Sequence, residues 1–207
     1  MSKPVVGILM GSDTDLPVMQ EAAVMLQEFG VEYEMTIASA HRTPKKVIEY
    51  SVGAERRGIK VIIAGAGWAA HLAGVVASHT TLPVIGVPID SSPLKGLDAL
   101  LATSQMPGGV PVATMSIGKP GAKNAGVFAA QIIATNDVKI ANRLRVFRVE
   151  MERDVEEKAK RLMAITARPA VKELAVVDAG APVKKKSRRR RWKKKPGTAA
   201  PVQGPAA

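Results

Sequence analysis

Along the chain, short β-branched runs alternate with longer stretches of helical period, and each run ends in small or turn-forming residues. That alternation is the pattern of parallel strands joined by crossover helices. Five such units are legible. Pro4 to Met10 reads as a strand followed by a helix from Leu16 to Phe29, and Val31 to Ser39 as a strand followed by a helix from Pro44 to Arg57. Thr43 is placed to cap that second helix, with Pro44 in its first turn, where a missing N–H is no loss. Lys60 to Ala66 leads to a helix from about Ala69 to His79, Pro83 to Val87 to one from Leu94 to Thr103, and Pro111 to Ile117 to one from Gly121 to Asn136. Runs such as VIIAGA and PVIGV are apolar throughout instead of alternating, so helices should cover both faces of the sheet. The fold class expected is α/β: a three-layer doubly wound parallel sheet, flavodoxin-like or Rossmann-like.

After Asp137, the apolar residues Ile140, Leu144, Phe147, Met151, Val155, Ala159 and Leu162 recur at spacings of three and four among mixed charges, the mark of a long amphipathic helix. It overruns a five-stranded sheet, so it either packs on a neighbouring copy or lies across its own domain. The period ends near Ala164. The expected organisation is one α/β domain including the long helix over residues 1–163, and a disordered Ala/Pro-rich basic tail over 164–207.

Composition narrows the chemistry. The chain has 207 residues and no cysteine, which suits one domain and excludes a disulfide framework, a zinc ribbon, an iron–sulfur cluster and a thiol nucleophile. His41, His71 and His79 are the only soft ligands, and no metal is expected. The net charge of +12 at first suggests an acidic partner, but ten of the thirty basic residues lie in VKKKSRRRRWKKKP between Val183 and Pro196. The remainder is nearly neutral, twenty basic residues against eighteen acidic ones. Non-specific nucleic-acid association through the tail, with Trp192 available to stack on a base, is the partner that this run allows. No apolar stretch approaches the ~20 residues of a membrane span, and the amino terminus does not read as a secretory signal. A soluble, cytoplasmic protein is expected.

Ligands of an open parallel sheet bind outside the carboxyl ends of its strands, where helix amino termini present unpaired N–H groups. Three loops qualify. Gly11-Ser12-Asp13-Thr14-Asp15 offers hydroxyls for a phosphate and a carboxylate that either holds sugar hydroxyls or caps a helix. Ser39-Ala40-His41-Arg42-Thr43-Pro44 pairs a guanidinium fork with a histidine, a side chain that exchanges protons near neutral pH. In Gly65-Ala66-Gly67-Trp68-Ala69-Ala70-His71, the residues Gly65, Gly67 and Ala70, with Asp90 downstream, satisfy a dinucleotide fingerprint, although it follows the third strand and not the first. Taken alone, His71 reads first as a satisfied, partly buried helix residue, and His79 as a C-terminal residue favourable to the helix dipole.

Taken together, MGSDTD, SAHRTP, AGAGWAAHLAG, QMPGGVPVAT and IGKPGAKNAG, in this order and spacing, resemble the bacterial PurE family, N5-carboxyaminoimidazole ribonucleotide mutase of class I. The likeness spans Val5 to Leu162. It implies an isomerase of de novo purine biosynthesis, acting without metal or organic cofactor on a small ribonucleotide, as a homo-octamer with sites between neighbouring subunits. By motif, His41 would be the general acid/base. Ser12, Ser39 and Arg42 would hold the phosphate or its surroundings, with Thr14 beside them, Asp15 the ribose hydroxyls, and Gly67, Ala69, His71 and Leu72 the wall around the carboxylate and the base. Direct carboxylation of aminoimidazole ribonucleotide on the same fold is the nearest alternative. The chain departs from the family pattern at Trp68, usually glycine, at Ala73, usually proline, and at Thr14, commonly serine.

Overall fold

The computed structural model describes residues 3–166 of the chain. Its strands are β1 (Val6–Met10), β2 (Tyr33–Ile37), β3 (Val61–Gly67), β4 (Val84–Ile89) and β5 (Ala113–Thr114). They form one sheet in the order β2-β1-β3-β4-β5, with every pairing parallel. This is the flavodoxin-like order, in which the chain reverses direction across the sheet between β1 and β3. Val6 pairs with Tyr33 on one side and Val61 on the other, and Met10 with Ile37 and Gly65, so the ends of β1, β2 and β3 lie level.

The helices are α1 (Leu16–Glu28), α2 (Pro44–Arg57), α3 (Leu72–Ala77), α4 (Leu97–Ser104), α5 (Gly118–Ala134) and α6 (Val138–Thr166). Every residue of β1 and β4 is buried, as their unbroken apolar runs require. Successive side chains of a strand point to opposite faces, so the sheet builds two cores. On one face Ile8, Met10, Ile63 and Ile85 meet Met19 and Leu26 of α1 and Ala122, Ala125 and Ala129 of α5. On the other Leu9, Ile62 and Val84 meet Val47 of α2 and Leu72 and Val76 of α3. The small residues of α5 let it close on α1, since a Cβ at Gly126 would stand 2.6 Å from the Ala22 carbonyl oxygen.

Element types agree with expectation, and several boundaries differ, three of them for reasons visible locally. The third helix begins at Leu72 and not near Ala69, because Trp68 is left-handed at φ 53° and His71 donates its N–H to the Ala69 carbonyl in a tight turn. The fourth begins at Leu97 because Gly96 is also left-handed, at φ 84°. The fifth strand shrinks to Ala113–Thr114 at the sheet edge, where it pairs with β4 alone. Thr43 precedes α2 but does not cap it with its side chain. Its Oγ1 accepts the Ser39 N–H at 2.9 Å and donates to the Ser39 carbonyl at 3.2 Å, closing the preceding loop instead.

The long helix divides between its two readings. Ile140 is buried, Phe147 meets Phe29 edge-to-face at 5.2 Å, and Arg143 donates to the Phe29 carbonyl at 2.7 Å, satisfying an acceptor just beyond α1. Its first three turns therefore lie across their own domain. From Arg148 to Thr166 every residue is exposed, Met151 and Val155 among them. The segment 164–207, expected to be a disordered basic tail, lies outside the described residues from 167 onward. Among the described residues no helix is long and apolar enough to cross a membrane.

Candidate active site

The carboxyl ends of β1, β2 and β3 open into one cavity of about 380 Å³, at the point where the strand order reverses. Its wall contains all ten residues singled out in the sequence: Ser12, Thr14, Asp15, Ser39, His41, Arg42, Gly67, Ala69, His71 and Leu72. Segments up to sixty residues apart in sequence converge because their strands end level.

After β1 the chain turns through a short 3₁₀ segment, Asp13–Asp15, capped reciprocally. Ser12 Oγ accepts the Thr14 N–H at 3.4 Å, and Asp15 Oδ2 accepts the Ser12 N–H at 3.0 Å. Asp15 is 5% exposed, and burial raises its carboxyl above the usual 3.8 against the opposing pull of the Ser12 and Gly11 N–H groups and Arg42. Asp13 is exposed, and its carboxyl is lowered, first by the Ser12 hydroxyl, which donates to it at 2.9 Å. Two carboxylates two residues apart are thus separated in chemistry. One is solvated and anionic, the other buried at the cavity edge where two hydroxyls of a ligand could replace lost water.

After β2, Ser39 Oγ accepts from the Arg42 backbone N–H at 3.2 Å and from Arg42 Nε at 3.4 Å. Arg42 Nη2 reaches across to the Gly11 carbonyl at 2.7 Å, tying this loop to the first. These bonds use two of the five N–H donors of the guanidinium and orient it beside the Ser12 turn. The result is a cation, two hydroxyls and backbone N–H groups at one end of the cavity, a set suited to a phosphate.

The third loop brings the second histidine. His41 Nε2 and His71 Nδ1 stand 2.8 Å apart, with ring centroids at 5.0 Å and planes at 79°. One hydrogen lies between those nitrogens, so a donor on one ring requires an acceptor on the other. The pair couples the tautomers of the two rings. His71 is exposed and precedes α3, so it is neither the satisfied helix residue of one reading nor a lone group.

Gly65, part of the apparent dinucleotide fingerprint, packs under α1 instead of lining the cavity: a Cβ there would stand 2.1 Å from Met19 Sδ. Asp90 faces Gly118 at the start of α5 and is not in the cavity wall. His79 lies beyond α3 with Nδ1 2.8 Å from the Val75 carbonyl, away from the cavity. Among the described residues no group of three or more His, Cys, Asp or Glu is arranged to hold a metal ion. The wall also contains Gly11, whose lack of a side chain lets the backbone approach a ligand, and Trp68, the departure from the family pattern, together with Ala40, Ala66 and Ser91, to which sequence reasoning gave no role. Ser91 was findable, since it follows β4 as the other loops follow their strands.

The chain is similar to known proteins along most of its length. The family model described as AIR carboxylase matches residues 5–154. The N5-carboxyaminoimidazole ribonucleotide mutase of Thermotoga maritima is 59% identical over 162 residues, 78% of this chain and 94% of that protein. The mutase of Pyrococcus horikoshii is 61% identical over 160 residues, 77% of this chain and 89% of that protein. The crystal structure of Treponema denticola PurE superposes with a TM-score of 0.68 at 30% identity, covering 77% of this chain and 98% of that one.

Proposed function

This chain belongs to the AIR carboxylase family, and on that premise we propose that it is an N5-carboxyaminoimidazole ribonucleotide mutase. It is an isomerase of purine biosynthesis that converts N5-carboxyaminoimidazole ribonucleotide (N5-CAIR) into 4-carboxy-5-aminoimidazole ribonucleotide (CAIR). The observation that carries the reading is the histidine pair at 2.8 Å inside a cavity that also holds Arg42 and Asp15.

Arg42, with Ser12, Ser39 and Thr14, binds the phosphate, and Asp15 accepts from the ribose hydroxyls. Those contacts lie far from the reacting atoms and supply orientation. The wall of Gly67, Ala69, His71 and Leu72 receives the base and its carboxylate, and its small residues admit a flat ring close to the backbone. A carboxylate drawn out of water into that wall loses solvation, which favours breaking the N–C bond to give neutral carbon dioxide and aminoimidazole ribonucleotide. His41 protonates the departing nitrogen. The ring carbon then attacks the retained carbon dioxide, and His41 removes the ring proton, so one residue acts first as acid and then as base. His71 keeps one nitrogen of His41 engaged, so that each proton movement at His41 has a defined direction.

The site is read as completed in a cytoplasmic homo-oligomer, an octamer, with the exposed half of α6 on a neighbouring copy. The domain boundary is placed at 163/164, and the ten cations between Val183 and Pro196 are read as giving salt-dependent affinity for polyanions.

Supplying each substrate separately tests the function. The mutase reading expects rapid CAIR formation from N5-CAIR and little from aminoimidazole ribonucleotide at low bicarbonate. Equal rates from the two would reject it in favour of direct carboxylation.

A further inference from the structure

Trp68 is unlike the rest of the cavity wall. Its neighbours Gly67, Ala69 and Ala70 are small, the other lining side chains are polar or aliphatic apart from the two imidazoles, and Trp68 is 59% exposed at the rim. Its backbone is left-handed at φ 53°, a conformation that disfavours a bulky L residue and that only Lys95 shares among described non-glycine residues. The residue before it, Gly67, is tightly packed. A Cβ there would stand 1.8 Å from Ser91 Oγ and 3.1 Å from the Ile89 carbonyl oxygen, so the end of β3 is pressed against that of β4. The chain leaves that contact by a left-handed step and turns at once into the His71 turn, with Ala70 buried at 1% exposure. Glycine would make the same step without strain. Strain of this kind persists where the surroundings over-determine it, and it clusters at ligand clamps.

The groups already placed leave one part of the ligand without a partner. Arg42 and Asp15 face phosphate and ribose, and the histidine pair faces the reacting edge of the base. Trp68 is the one large aromatic surface of the cavity wall that these roles leave unused. Resting on the mutase reading, we propose that Trp68 is the stacking wall of the base subsite, a specificity-determining contact that folds over the bound imidazole ribonucleotide and excludes water from its ring face. A stack made equally with substrate and transition state changes binding and not the chemical step.

Trp68 and Trp192 are the only tryptophans of the chain, so Trp192→Phe in the full-length protein leaves Trp68 as the sole indole reporter. In that protein the expected result is a blue shift and protection from acrylamide quenching on adding CAIR, with no response to inorganic phosphate, which lacks a base. Trp68→Gly is expected to fold and to raise KM for N5-CAIR about tenfold, with the larger share of the loss in KM and not in kcat. Emission that is blue-shifted and protected before ligand is added, and unmoved by CAIR, would show the indole covered by another copy and overturn the proposal. An unchanged KM in Trp68→Gly would do the same. Failure of the mutase reading itself is distinct: the Trp192→Phe protein would not turn over N5-CAIR, whereas a failed stack leaves that turnover intact beside a silent tryptophan.

Discussion

Replacing His71 by Asn separates the two roles open to that residue, partner of His41 or wall of the base subsite. The contact at stake is one hydrogen bond of 2.8 Å between exposed rings. Such a bond contributes about 0.5–1.5 kcal/mol net. At about 1.4 kcal/mol per factor of ten, its loss in the transition state lowers kcat by about two- to tenfold. Because both rings are exposed, the fold should hold, with stability changed by less than about 0.5 kcal/mol. His41→Asn removes the acid/base itself and should lower kcat by about 10²–10⁴-fold, while CAIR still binds. The decisive measurement is the double variant in steady-state and equilibrium-binding assays. If His71 acts through His41, adding His71→Asn to His41→Asn changes kcat no further, since the interaction has already gone. The pH profile of kcat should also move in His71→Asn alone. A double variant slower than His41→Asn by the full factor of the single change would refute the coupling and assign His71 to direct substrate contact. Near-normal rates in His41→Asn would remove the acid/base assignment altogether.

Further expectations concern the other end of the cavity and the tail. Arg42→Ala should weaken CAIR binding by about 10–100-fold, the loss of a charge-assisted contact, and calorimetric titration would expose an unchanged affinity as evidence against the phosphate role. Asp15→Asn should weaken ligand binding yet raise stability at neutral pH, because burial raises the native carboxyl above 3.8. As pH rises from about 3.8, the unfolded chain releases that proton first, so the wild type loses stability through the window up to the raised native value and stays lower above it. The melting-temperature gap between the two proteins should therefore be small in acid and grow with pH, and a gap of constant size would show that the carboxyl is not destabilised by burial. A chain ending at Thr166 should retain the kcat of the full-length protein, and a large loss there would tie the basic tail to catalysis. In gel-shift experiments the full-length chain is expected to retard RNA in a salt-dependent way, and the same truncation to abolish that retardation.

What the sequence determined by itself was the alternation of elements, the apolar character of the inner strands and the chemistry carried by each loop. These are local properties. A run such as VIIAGA is buried on both faces wherever it is placed, and Pro44 starts a helix because of its own ring; α2 begins and ends where periodicity put it. The three loops were likewise legible as places where apolar runs stop, but the ten individual residues were named through the resemblance of their motifs to one family; all ten line the cavity.

The tertiary structure decided what depends on distance across the sheet. The 2.8 Å contact between His41 and His71 exists because β2 and β3 flank β1 in level register, a pairing that no property of either loop announces. Ser91 joined the wall for the same reason, and Gly65 left it because its missing side chain makes room for Met19. The left-handed turn at Trp68 was also invisible in the sequence. It follows directly on Gly67, which packs on Ser91 of the next strand's loop, a contact across the sheet that no local property announces. The division of α6 follows the same rule: one amphipathic period runs through it, but only the turns that meet Phe29 find a surface within their own domain.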